Sequence, residues 1–154
     1  MSSTSFILND IKEYLVFVSQ VKNLSENTTK SYERDLKKLN SFLIGLNLST
    51  YSEISSETCS AWIGSLYSQN NNPRSIQRHL SSAKGFFRFL KKNNLIQSSP
   101  FELVTAPKSS NKLPDVLSPE DVEQLLNFKP SNMIEIRDMA IVELMYSSGL
   151  RVSE

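Results

Sequence analysis

Apolar residues in this chain recur every three or four positions through one segment after another, a spacing that leaves room for little but α-helix. A first helix is predicted from about Phe6 to Val21, with Leu8, Ile11, Leu15 and Val18 on one stripe. A second begins after Leu24, with Ser25 as N-cap, and turns Tyr32, Leu36, Leu39, Leu43 and Leu46 inward. A third, capped by Ser55 or Ser56, buries Trp62, Ile63 and Leu66 and fades into the polar turn Gln69-Asn70-Asn71-Asn72. The fourth takes Asn72 as cap and Pro73 as first helical residue, where its missing N–H costs nothing, and runs to about Lys92. No alternating strand pattern and no Asn-Gly hairpin signal interrupts them, so the fold class is all-α.

From Gln97 to Leu117 the pattern breaks: serines, Lys108, Lys112 and three prolines, Pro100, Pro107 and Pro114, allow no regular element. Helical signals resume at Ser118-Pro119-Glu120-Asp121, where a capping serine, a first-turn proline and two acids favoured by the helix dipole coincide. A last helix from Ser131 to about Ser147 carries Ile134, Met139, Ile141, Val142, Leu144 and Met145, and Gly149 is placed to end it. The expected organisation is a four-helix domain over 1–96, a linker over 97–117 and the opening of a second domain over 118–154. With 39% hydrophobic residues, four glycines and six prolines, the chain has the material for a packed core and is no low-complexity sequence. Its one cysteine, Cys59, excludes an internal disulfide, offers no metal-ligand spacing and reads as a small buried helix residue. Asn9, Asp10, Lys12 and Glu13 break the apolar run a signal peptide needs, and no stretch nears the roughly 20 apolar residues of a membrane span. No membrane association and a cytoplasmic location are therefore expected.

The formal net charge is only +1, so a basic surface requires segregation of charges. It is present: no Asp or Glu occurs between Glu57 and Glu102, a stretch that holds Arg74, Arg78, Lys84, Arg88, Lys91 and Lys92. At about 100° per residue, Arg74, Arg78, Ser81, Gly85, Arg88 and Lys92 share one narrow sector of the fourth helix, with Gln77 and Lys84 at its edge. Ile76, Leu80, Ala83, Phe87 and Leu90 lie opposite. Small residues among arginines suit a helix that enters a groove, where arginine bonds phosphates or the guanine edge. On the second helix Lys30, Arg34, Lys37 and Ser41 project away from the leucines, with Lys38 at the margin, although this stripe reads equally well as an ordinary solvated face. His79 borders the apolar face and reads as a packing residue.

Two segments carry a family resemblance, Leu24-Ser25-Glu26-Asn27-Thr28-Thr29-Lys30-Ser31-Tyr32-Glu33-Arg34-Asp35-Leu36 and Arg74-Ser75-Ile76-Gln77-Arg78-His79-Leu80-Ser81-Ser82-Ala83-Lys84-Gly85-Phe86-Phe87-Arg88-Phe89-Leu90. Both resemble the core-binding domain of Xer-type tyrosine recombinases and related phage integrases. Pro107-Lys108, Leu113-Pro114 and Leu117-Ser118 resemble the family's linker. Arg137-Asp138-Met139-Ala140, and then Tyr146 through Glu154, resemble its first catalytic motif. The resemblance implies a four-helix core-binding, SAM-like domain followed by the first helices of a mainly α catalytic domain. It also implies a clamp around a duplex recombination site, sister subunits in a tetramer, and no metal or nucleotide cofactor. DNA cleavage would pass through a 3′-phosphotyrosyl intermediate, with chromosome dimer resolution as the expected role. By resemblance Arg151 is the first catalytic arginine, since a guanidinium fork can bond two nonbridging oxygens of a phosphate under attack. Glu154 is the expected residue behind it.

The DNA-contacting set implied by helix face and resemblance is Lys30, Tyr32, Arg34, Arg74, Ser75, Arg78, Ser81, Lys84 and Arg88. Tyr14, Tyr32, Tyr51, Tyr67 and Tyr146 all precede Arg151, whereas the family nucleophile follows it, so the chain by itself is expected to be inactive. A mobile-element integrase, a stand-alone DNA-binding or regulatory protein, and a helical module for acidic protein partners stay open on these residues.

Overall fold

The computed structural model describes residues 5–106 and 116–151; among them are six α-helices and no strand. Residue contacts divide the chain into two compact units, Met1–Ser110 and Asn111–Glu154. No helix among the described residues is long and apolar enough to cross a membrane.

In the first unit, α1 spans Ser5–Gln20, α2 Glu26–Gly45, α3 Ser56–Ser68 and α4 Pro73–Lys92. Their starts are fixed by side chains that accept otherwise orphaned amides. Ser25 Oγ takes the Thr28 N–H at 3.2 Å, Ser55 Oγ the Thr58 N–H at 3.2 Å, and Asn72 Oδ1 the Arg74 N–H at 2.9 Å beside Pro73. Their ends share a device the sequence only hinted at: Asn23, Asn47, Asn70 and Asn94 all adopt positive φ, between 48° and 59°. Asparagine tolerates this left-handed geometry better than other residues with a Cβ. The next amide then reaches back to a late carbonyl, as in Leu48 to Leu43 at 3.2 Å, Asn71 to Leu66 at 3.3 Å and Leu95 to Leu90 at 3.0 Å.

α4 packs against α1, α2 and α3 and is the centre of the unit. The core is built from Ile7, Ile11, Tyr14 and Val18 of α1, Leu36, Leu39 and Leu43 of α2, Cys59, Trp62, Ile63 and Leu66 of α3, and Ile76, Leu80, Ala83, Phe86, Phe87 and Leu90 of α4. Four expected core positions differ. Ile7 and Tyr14 are buried where Leu8 and Leu15 were expected, those two being half-buried. Tyr32 is half-buried, and Leu46, past the end of α2, is exposed. The larger correction concerns the segment after α4. Phe101 and Val104 are 0% and 5% exposed, and the Phe101 ring lies 5.0 Å from Phe87 and 5.9 Å edge-on to Trp62. Phe101 and Val104 therefore complete the four-helix core. The prolines and serines there break helicity without releasing the chain. A short 3-10 turn, Tyr51–Glu53, also escaped the periodicity; Tyr51 Oη donates to Asp10 Oδ2 at 2.6 Å and ties it to α1.

The second unit holds α5, Pro119–Leu126, and α6, Met133–Ser148. Ser118 and Asp121 form a reciprocal capping box at α5, Asn132 caps α6, which starts at Met133 rather than the expected Ser131, and Gly149 closes α6 in the left-handed conformation at φ 65°. The stripe expected inward on α6 is not buried: Ile134 is 63% exposed, Ile141 and Leu144 are exposed, and Met139, Val142 and Met145 are half-buried. The eight-residue α5 offers too little opposing surface to cover a helix that is apolar on every side.

Candidate nucleic-acid interface

Because α4 turns Ile76, Leu80, Ala83, Phe87 and Leu90 into the core, the same helical period turns its cations outward. Arg74, Arg78, Ser81, Arg88 and Lys92 are exposed, while Ser75 and Lys84 are half-buried at the margin. Neither Arg74 nor Arg88 has a carboxylate partner among the described residues. Gly85, expected to let the helix approach a groove, has a different task. A Cβ there would stand 2.2 Å from the Tyr14 hydroxyl, so the missing side chain makes room for Tyr14 to cross from α1. Burial pushes the Tyr14 hydroxyl well above the ordinary tyrosine pKa; Tyr32 adds to the shift and Arg88 opposes it.

The face of α2 is of mixed charge. Lys30 Nζ lies 2.6 Å from Glu26 and Lys37 Nζ 2.6 Å from Glu33, each one turn away along the helix. The bonded Lys30 ammonium holds Glu26 below the ordinary carboxylate range. Arg34 is exposed and donates from Nη2 to Ser31 Oγ at 3.2 Å. Tyr32 packs on the core. Of the expected α2 cations, Arg34 and Lys38 thus stand without an acid partner among the described residues.

The two helices meet at a group the sequence reading passed over. Asp35 of α2 is 1% exposed and accepts two bonds from Arg78 of α4, from Nε at 2.8 Å and from Nη2 at 3.0 Å. The Arg78 side chain is 42% exposed, so its fork has one edge in the protein and another in solvent. Bonding to Asp35 raises the Arg78 pKa. His79 is buried edge-on against Trp62, at 5.9 Å, which makes it a core aromatic. Its Nδ1 is within ion-pair distance of Asp35 Oδ1, at 3.2 Å, but is misaligned and forms no hydrogen bond. Burial lowers its pKa against the pull of Asp35, with Lys38 and Arg78 lowering it further. Asp35 was legible in principle, because it sits one turn before Leu39 and two before Leu43, where a carboxylate must find a cation or remain unpaired.

In the second unit Arg151 is exposed two residues beyond Gly149, whose left-handed turn takes the chain out of α6. Glu154 lies outside the described residues.

The fold and its surface define an all-α bundle with one segregated cationic helix face. The chain belongs to the family described as phage integrase, N-terminal SAM-like domain, which matches residues 11–94, from within α1 to two residues past α4. Three curated relatives over 145 residues, each called tyrosine recombinase XerD, come from Oceanobacillus iheyensis at 33% identity, Staphylococcus haemolyticus at 37% and Staphylococcus aureus at 36%. The match covers 94% of this chain and 49% of each relative, so the chain spans about half the length of the curated relatives it matches.

Proposed function

We propose that this chain is the DNA-binding half of a site-specific tyrosine recombinase that cuts and rejoins duplex DNA through a 3′-phosphotyrosyl intermediate. Its biological setting, on this reading, is chromosome dimer resolution in the cytoplasm, by sister subunits assembled as a tetramer on a recombination site. The observation that carries the reading is the exposed cationic face of α4, a helix without Asp or Glu, within a unit whose family is that of integrase N-terminal domains. The names of the relatives support the chemistry assigned to the whole protein. The domain boundary falls in the segment after Val104, and residues 118–154 open the catalytic domain.

Duplex binding follows from charge placement. Arg34, Arg74, Lys84 and Arg88 contact phosphates, and Lys30 contributes less because Glu26 competes for its ammonium. Tyr32, Ser75 and Ser81 add hydroxyl donors at the margins of the same surface. Arg151 serves the scissile phosphate, its planar fork bonding two nonbridging oxygens as negative charge builds on them. Glu154 orients Arg151; unchanged cleavage by Glu154→Gln in the whole protein would remove that role. The binding claim is tested by anisotropy titrations of a labelled duplex of about 30 base pairs against the 154-residue chain. With four phosphate contacts, log K should fall against log salt with a slope of about −4. Charge reversal at Arg74 and Arg88 should weaken binding about tenfold or more at low salt, and equal affinity before and after would overturn the reading.

A further inference from the structure

We propose that Arg78 reads a base edge of the duplex and that buried Asp35 is the positioning residue that aims it. The proposal rests on duplex binding by the α4 face and deepens it, since it separates Arg78 from the phosphate-contacting arginines around it.

Three features carry the assignment. The first is the geometry of the pair. A guanidinium has five N–H donors, and Asp35 takes one from Nε and one from Nη2. Three remain, both of Nη1 and one of Nη2, and no described protein group bonds them. The remaining edge keeps the two-pronged form that fits guanine O6 and N7. The second is fixation: Asp35 is 1% exposed and comes from a neighbouring helix, so the fork is held by the core rather than by a mobile surface acid. An arginine fixed before binding loses less side-chain freedom on contact, which favours directional readout. The third is charge. Within a stretch of α4 from which acids are excluded, Arg78 is the one cation matched by a carboxylate among the described residues, and the partial cancellation weakens its pull on phosphate while leaving its donors in place. Ser81, exposed and less than one turn further along, leaves space for a groove edge to approach the fork.

The test uses the 154-residue chain and a pool of duplexes with a randomised centre, in which bound molecules are sequenced after selection. Wild type should enrich guanine at one position by about tenfold, the discrimination expected of a two-pronged arginine contact. Arg78→Lys keeps the charge and loses the fork. It should flatten that preference below about twofold, with the other positions and the salt slope unchanged. Asp35→Asn should do the same by releasing the arginine, and a merely structural role would leave the preference intact in every variant that still melts cooperatively. Arg74→Ala should keep the motif, weaken binding to all sequences and reduce the salt slope by about 1. If Asp35→Asn fails to fold, Arg78→Lys decides. The same motif in Arg78→Lys as in wild type, or no motif in wild type, overturns the proposal with duplex binding still standing. Failure of wild type to bind any duplex overturns the binding reading and this proposal together.

Discussion

At the scale of single residues, the first unit holds several polar groups whose burial sets measurable behaviour. The Cys59 thiol is pushed up to about 12 by burial and, secondarily, by Glu57. It should be inert to thiol reagents at pH 8 in the native protein and react only as the chain opens, a rate readable by mass spectrometry. The Tyr67 hydroxyl is buried without a hydrogen-bond partner among the described residues. Tyr67→Phe should therefore be neutral or stabilising by up to about 1 kcal/mol in urea titrations, since it removes an unmet desolvation cost. Arg78→Ala should cost about 2–3 kcal/mol. That is less than a fully buried pair, because 42% of the side chain is exposed and water screens part of the loss. His79 has its pKa lowered by folding, so the unfolded chain takes up the proton first as pH drops. The stability that neutral His79 provides is complete above about pH 6.5 and is lost as pH falls through its lower native value. Comparing urea midpoints at pH 7.5 and 5.5, wild type should lose more than His79→Asn.

At the scale of elements, helix starts were written plainly in the sequence and helix ends less so. Ser25, Asn72 and Ser118 were each read as caps from local chemistry alone, because a cap needs only its own next few amides. The asparagines that end the first four helices were harder to read, since asparagine is common in turns of many kinds. Asn94→Ala should cost about 1 kcal/mol by thermal melt, the strain of a left-handed alanine. The segment after α4 shows the opposite failure. Its prolines correctly exclude a helix, yet Phe101 fills a gap between Phe87 and Trp62 that no local pattern reveals. Phe101→Ala should cost about 3–5 kcal/mol, as expected for a fully buried aromatic.

For the whole molecule, every buried residue among the described ones lies at or before Val104. Truncation after Ser110 should therefore leave the helical circular dichroism of the first unit and its melting temperature within a few degrees of the full chain. A loss of cooperative melting would show that residues 111–154 belong to the same folding unit. α6 presents apolar side chains on all sides, the pattern of a helix meant to be surrounded.

The sequence by itself determined the all-helical class, the caps and the cationic face of α4, because each depends on interactions within about one helical turn. Only the tertiary structure decided which charges are available, since that depends on which helix lies opposite. Asp35 claims half of Arg78, and Gly85 serves Tyr14. A carboxylate at one point of the chain and a guanidinium 43 residues later become one group only when α2 packs on α4. Their pairing is a property of burial and distance that no period in the sequence records.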